Sequence, residues 1–96
     1  MEFTEKKIAE LKAKHGEIYA IETEGKTALF RKPTRKDISF AQASAAGDQY
    51  KMNEVLFANC WIEGDEEIKT EVEYFLACLG EFTKIIEIKS AELKKL

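Results

Sequence analysis

The hydrophobic pattern at the start of the chain predicts a short helix over residues 5–15. Ile8 and Leu11 are spaced so that both lie on one side of a helix, with charged residues on the other sides. Thr4 precedes this segment and is a favourable N-cap. Gly16 follows it and tolerates the positive φ angle with which many helices end.

The pattern then changes to one that predicts a β-hairpin. Two runs rich in β-branched, aromatic and aliphatic residues, 17–22 and 27–32, flank a short polar segment. That segment contains Gly25, the residue type that tight turns require. Because an isolated hairpin is marginally stable in water, we expect it to rest on helices or on another sheet edge.

The middle of the chain predicts two further helices. Pro33 ends the second strand, and Thr34 with Asp37 has the spacing of a capping box. A helix is therefore expected after this pair, extending to Ala46. After a Gly-Asp pair, a further helix is expected over about 49–62.

The last quarter of the chain has the most regular hydrophobic spacing. Gly80 lies within it and costs ~1 kcal/mol relative to Ala in a helix, but the register continues beyond it. The pattern predicts one long amphipathic helix over 72–96, packed antiparallel to the helical segment 38–62. The heptad positions are Val72, Phe75, Leu79, Phe82, Ile86, Lys89, Leu93 and Leu96.

Together these elements predict a single α+β domain over residues 1–96. Its expected order is a short N-terminal helix, one β-hairpin and three helices, of which the C-terminal helix is long and amphipathic. The length of 96 residues, 45% of them hydrophobic and 34% charged, is typical of one globular domain.

Net charge and hydropathy limit the classes of partner that we expect. The net charge is −3, from 15 basic and 18 acidic residues, so general nucleic-acid binding is not expected. No apolar run approaches the ~18 residues that a membrane span needs. The charged, helical N-terminus does not resemble a signal peptide, so a cytoplasmic location is expected.

Catalytic and metal-binding motifs are absent from the sequence. His15 is the single histidine, and its predicted place at a helix C-terminus favours an electrostatic role there. Cys60 and Cys78 belong to no CxxC motif or Cys/His cluster, so no metal site is expected. We expect two buried thiols, although the spacing does not decide whether they form a disulfide. No enzyme activity and no cofactor are predicted.

A basic cluster at residues 31–36 is the first candidate binding feature. It contains Arg31, Lys32, Arg35 and Lys36, on either side of Pro33. Four cations this close together are able to bind phosphates or to steer an acidic protein surface. The plain alternative is a solvated strand end followed by the first turn of a helix.

An aromatic stripe is the second candidate. Tyr50, Phe57 and Trp61 lie on one face of the predicted helix over 49–62, away from its main apolar face. A helix that is apolar on two faces is either buried centrally or shared with a partner. Since aromatic residues are enriched at interface centres, we predict that this stripe and the hairpin bind a protein partner.

The order of these elements and two local motifs carry a family resemblance. The hairpin ends in the basic stretch FRKPTRKD, and NCWIEGD precedes the last helical segment. Over residues 14–96 the layout resembles that of small tail assembly chaperones of tailed bacteriophages and prophages. The matching positions are Arg31, Pro33, Thr34, Arg35, Asp37, Gly64 and Asp65.

The resemblance implies a non-enzymatic role in virion assembly. Such chaperones bind the tape-measure protein and tail-tube subunits in the bacterial host cytoplasm, and they are absent from the finished particle. Exposed apolar surface would also favour a homo-oligomer. Two alternatives stay open: a small nucleic-acid-binding regulator that uses the cluster at 31–36, and a structural tail or connector subunit.

Overall fold

The fold is described by a computed structural model that covers residues 3–86 and 90–96. It is an α+β fold, as predicted, with helices around a three-stranded antiparallel sheet of order β1-β2-β3. A 3₁₀ turn at Thr83–Ile85 follows the last helix. The elements are α1 (Glu5–His15), β1 (Ile18–Thr23), β2 (Lys26–Arg31), α2 (Arg35–Ala45), α3 (Gln49–Cys60), β3 (Trp61–Gly64), α4 (Glu67–Thr70) and α5 (Val72–Phe82).

Helix α1 has the predicted bounds and caps. The Thr4 hydroxyl accepts a hydrogen bond from the Lys7 backbone N–H at 3.1 Å. Gly16 closes the helix at φ 79°, and its N–H donates to the carbonyl of Lys12. No residue of α1 is buried, and the helix lies against β1. This helix is therefore a peripheral element rather than part of the core.

The predicted hairpin is confirmed, with its strands one residue closer to the turn. Ile18 pairs with Arg31 at one end and Thr23 with Lys26 at the other. The two turn residues, Glu24 and Gly25, both have positive φ angles of 43° and 79°. Positive φ at both central residues is characteristic of the tight turns that suit the twist of antiparallel strands.

Helices α2 and α3 follow each other through a short connection and pack together. The capping box predicted from Thr34 and Asp37 is present at the start of α2. Ala46 and Gly47 both have positive φ angles in the connection. Asp48 then caps α3, because its carboxylate accepts from the Lys51 backbone N–H at 3.2 Å.

The helix predicted over 49–62 is too long at its C-terminal end. Helix α3 ends at Cys60, and Trp61 begins β3, which pairs with the free side of β2. The close approach of the two strands depends on Gly64, since a Cβ there would lie 2.6 Å from the Ala28 Cα. The third strand is thus the support that the hairpin was expected to need.

The prediction of a single long helix over 72–96 is wrong. Helix α5 ends at Phe82, and Ile85 in the 3₁₀ turn returns to the core. Residues 90–96 form neither helix nor strand. The heptad position Lys89 lies outside the described residues. The expected packing of two long antiparallel arms is replaced by the shorter α2–α3 pair.

The core lies between the sheet and helices α3, α4 and α5. Both cysteines lie in it as free thiols, as expected. Within residues 3–86 and 90–96, no helix is long and apolar enough to cross a membrane. The largest fully buried side chains are Phe30, Phe82, Leu56, Ile68, Cys60 and Cys78.

Candidate functional site

Arg31 does not belong to an open basic cluster. Its guanidinium binds the Asp37 carboxylate through two contacts of 2.6 and 3.0 Å, and it donates to the Asn59 carbonyl at 3.0 Å. Arg31 was predicted to bind a partner, but its guanidinium is occupied by these contacts within the chain. The side chain joins the end of β2 to the start of α2 and the last turn of α3.

The electrostatics of this ion pair fit a structural role. Asp37 also accepts from the Thr34 N–H at 2.8 Å and from the Thr34 hydroxyl at 2.9 Å. The Arg31 hydrogen bonds hold the pKa of the Asp37 carboxyl well below its ordinary value. The same contact raises the pKa of Arg31. Both groups therefore stay charged and paired near neutral pH.

The other three cations of the cluster face solvent. Lys32, Arg35 and Lys36 are all exposed, at the end of the hairpin and in the first turn of α2. Positive charge at a helix N-terminus opposes the helix dipole, so an anionic partner would relieve that repulsion. These three residues are therefore the exposed part of the predicted basic cluster.

Phe57 is a core residue, which corrects its predicted place on a binding surface. Its side chain is 2% exposed. The ring lies 4.8 Å from Phe30, 5.1 Å from Phe75 and 5.5 Å from Phe82, measured between ring centroids. Because these rings converge on it, Phe57 stabilises the packing of α3 against α5 and the sheet.

Trp61 lies on β3 and not on the predicted helix. Its ring is partly buried and packs edge-on against Phe30 at 5.5 Å. The Lys69 ammonium lies 4.3 Å from the ring centroid, in a cation–π contact that covers one face. Trp61 therefore closes the edge of the core, and only part of its surface faces solvent.

Tyr50 keeps an exposed position, with 49% of its surface accessible in the first turn of α3. Residues 50, 54, 57 and 58 lie along one face of that helix because of its 3.6-residue period. This face borders the α3–α5 groove, a cleft of about 300 Å³. The groove is lined by Glu54, Phe57, Ala58, Lys69 and Phe75.

Phe40 is an exposed aromatic that the sequence analysis did not select. It lies on α2 and is 59% exposed. Lys36 precedes it by four residues, so the two side chains share one face of the helix. The sequence did contain a signal, because Phe40 is the one large apolar residue of α2 outside the buried stripe that includes Ile38 and Ala41.

The hairpin has one strand at the edge of the sheet. Strand β2 is central in the sheet, and β1 lies at its edge. A cleft of about 390 Å³ follows β1 beside the end of α5, lined in part by Tyr19, Ile21, Glu81 and Lys84. Polar and charged residues form much of this lining, so it is a weaker apolar surface than the helices offer.

The described residues contain no constellation for metal binding. Across residues 3–86 and 90–96, no group of three or more His, Cys, Asp or Glu side chains is placed to hold an ion. The surface chemistry that stands out is instead aromatic and basic. The candidate binding residues are therefore the exposed aromatics Phe40 on α2 and Tyr50 on α3, and the exposed cations Lys32, Arg35 and Lys36.

Comparison with known proteins adds no assignment, since no family model, no curated protein and no solved structure was found to match the chain.

Proposed function

We propose that this protein is a non-enzymatic tail assembly chaperone of phage or prophage origin, which binds the tape-measure or tail-tube protein in the host cytoplasm. The observation that supports the proposal is the exposure of two aromatic side chains on the α2–α3 pair. Phe40 is 59% exposed and Tyr50 is 49% exposed. The motif resemblance at residues 31–37 and 64–65 supplies the class of partner.

The exposed aromatics suit a partner that presents an amphipathic helix. Aromatic side chains are the residues that most often anchor protein interfaces. A pair of helices with apolar residues between and beside them can receive a further helix through its apolar face. Such binding would shield the partner's apolar surface from aggregation until assembly begins.

The exposed cations define the charge of that partner. Lys32, Arg35 and Lys36 lie around the N-terminal end of α2, and Lys36 is one helical turn from Phe40. We expect an acidic segment of the partner to lie at this end, because opposite charge steers association. Arg31 is left out of this set, since its guanidinium is occupied by Asp37.

The test is a tagged pull-down from cells that carry the source phage or prophage, with nuclease treatment and mass spectrometry. The expected result is capture of a long, helical tail protein, whose soluble fraction rises when the two proteins are co-expressed. Phe40→Asp and Tyr50→Asp should each lose this capture while keeping the wild-type circular dichroism and melting temperature, because both positions are exposed.

Gln42→Asp is the matched control. It places the same charge on α2 about 200° around the helix from Phe40, and capture should persist. Equal capture by Phe40→Asp and the wild type would contradict the proposal. Recovery of nucleic acid alone, lost after nuclease treatment, would favour a regulator. Detection of the protein in purified particles would favour a structural tail subunit.

A further inference from the structure

Helix α5 has an apolar face that residues 3–86 and 90–96 leave exposed. Its inner side supplies Cys78, Leu79 and Phe82 to the core. On its outer side, Val72 is 69% exposed and Leu76 is 50% exposed. These two residues lie one helical turn apart and form a continuous apolar strip. We call this strip the α5 outer face.

Negative charge borders the α5 outer face. Glu71 and Glu73 lie on either side of Val72, and both are exposed. Among residues 3–86 and 90–96, neither carboxylate is in an ion pair, whereas the two acids at the start of α4 lie 3.8 and 3.0 Å from lysine ammonium groups. An occupant of this face would therefore combine apolar side chains with positive charge.

The 90–96 segment of the chain has that combination. Leu93 and Leu96 are fully exposed, with relative accessibilities of 101% and 115%. Their spacing of three residues would place them on one side of a helix, and Lys94 and Lys95 lie between them. The segment has two lysines and one acid, Glu92, so its side-chain charge is opposite to that of Glu71 and Glu73.

We infer that the 90–96 segment of one copy docks on the α5 outer face of a second copy. Leu93 and Leu96 would cover Val72 and Leu76, and the two lysines would lie beside the two glutamates. When two copies exchange their segments reciprocally, both faces are covered and the assembly closes as a dimer. The inference does not depend on the proposed function, because it uses other residues.

The second copy is the occupant that the structure favours. Within one chain, the leucines of the 90–96 segment and the α5 outer face are exposed at the same time. A helix as short as this segment is not stable alone in water, so it needs a surface to fold against. The heptad spacing shared by Val72, Leu93 and Leu96 is the spacing by which separate helices pack together.

The experiment is sedimentation velocity of the full chain over a range of concentrations. The wild type is expected to form dimers with twice the mass of one chain. Val72→Asp/Leu76→Asp and Leu93→Asp/Leu96→Asp should each sediment as monomers. Circular dichroism checks that each variant still folds. Because the substituted residues are exposed, we expect the spectrum and the melting temperature to stay unchanged. Phe40→Asp is the control, and it should remain dimeric.

Mixing the two monomeric variants tests the pairing itself. One variant keeps an intact 90–96 segment and the other keeps an intact α5 outer face. A mixture should therefore recover heterodimers with one of the two contacts, weaker than wild type. Likewise Glu71→Lys/Glu73→Lys and Lys94→Glu/Lys95→Glu should each weaken the dimer, and the four substitutions together should restore it.

Three results would overturn the inference. A wild type that stays monomeric at the highest concentration would exclude the exchange. Docking of the segment on the α5 of its own chain would also give this result, and it too would contradict the inference. A dimer that survives Leu93→Asp/Leu96→Asp would assign association to another surface. No heterodimer in the mixture of monomeric variants would contradict the pairing of segment with face.

Discussion

At the scale of single residues, one guanidinium organises the junction of three elements. Arg31 leaves the end of β2, binds Asp37 in the first turn of α2, and donates to the carbonyl of Asn59 in α3. Bidentate pairing of this kind is stronger than a single exposed ion pair because each charge is also hydrogen-bonded. The residue therefore stabilises the junction of β2, α2 and α3.

Replacing Asp37 should lower stability and change its pH dependence. We expect Asp37→Ala to cost about 2–3 kcal/mol, because both the helix cap and the charged hydrogen bonds are lost. The folded-state pKa of this carboxyl is lowered. Its contribution is therefore complete above its unfolded value of about 3.9, and it is lost as the pH falls through that value towards the folded pKa.

The measurement is urea unfolding between about pH 7 and pH 3, since the carboxyl of the unfolded chain takes up its proton near the lower end of that range. The wild type should lose more unfolding free energy on acidification than Asp37→Asn, which cannot ionise. Glu10→Gln, on the exposed side of α1, is the control and should follow the wild type. Identical acid profiles for wild type and Asp37→Asn would rule out the assigned role.

Burial should also suppress the reactivity of the cysteines. Cys60 and Cys78 are fully buried, and burial raises the pKa of the Cys60 thiol to about 11. Burial raises the pKa of Cys78 as well. Because the thiolate is the reactive form, we expect negligible labelling of the native protein by a disulfide reagent at mildly alkaline pH.

This labelling would be measured from the absorbance of the thiol that the disulfide reagent releases. Two thiols should react in denaturing urea, and below the transition the rate should increase with urea as the core opens. Rapid native labelling of either cysteine would mean that the core around α3 and α5 is accessible.

At the scale of elements, the third strand and the end of α5 were the features that the hydrophobic pattern missed. The apolar spacing of a helix continues through residue 62, but the free side of β2 pairs with Trp61–Gly64. The heptad spacing likewise continues to residue 96, but helix α5 ends at Phe82, and the 3₁₀ turn that follows it brings Ile85 to the core. Periodicity reports which residues are apolar, and packing partners determine how far an element extends.

The pairing of β2 with β3 predicts opposite effects at two glycines. Gly64→Ala should destabilise the fold by about 1–3 kcal/mol, since its Cβ would overlap the backbone of β2. The nearest atoms would be the Ala28 Cα at 2.6 Å and the Thr27 carbonyl oxygen at 2.7 Å. Gly80→Ala is the matched control, because it lies in α5 with nothing within 4 Å of an added Cβ.

Gly80→Ala should stabilise the protein by up to about 1 kcal/mol through helix propensity. Equilibrium unfolding monitored by Trp61 fluorescence would measure both variants. Equal stability of Gly64→Ala and the wild type would show that the β2–β3 contact is looser than the structure has it.

At the scale of the whole molecule, the apolar residues of 3–86 divide between a core and exposed positions on the α2–α3 pair and on α5. Phe57 and Phe82 were predicted from helical stripes, and both belong to the core. Phe40 and Tyr50 face solvent on the α2–α3 pair, while Val72 and its neighbours face solvent on α5. One surface is proposed for a tail protein and the other for a second copy of the chain.

The sequence by itself determined the caps and turns. Thr4, Gly25, and Thr34 with Asp37 act through contacts with residues at most four positions away, so a local pattern was sufficient to predict them. Tertiary structure decided the inward direction of Arg31, whose acceptor carbonyl lies 28 residues later in the chain. It also decided the burial of Phe57 and the end of α5, because each depends on elements that meet only when the chain folds.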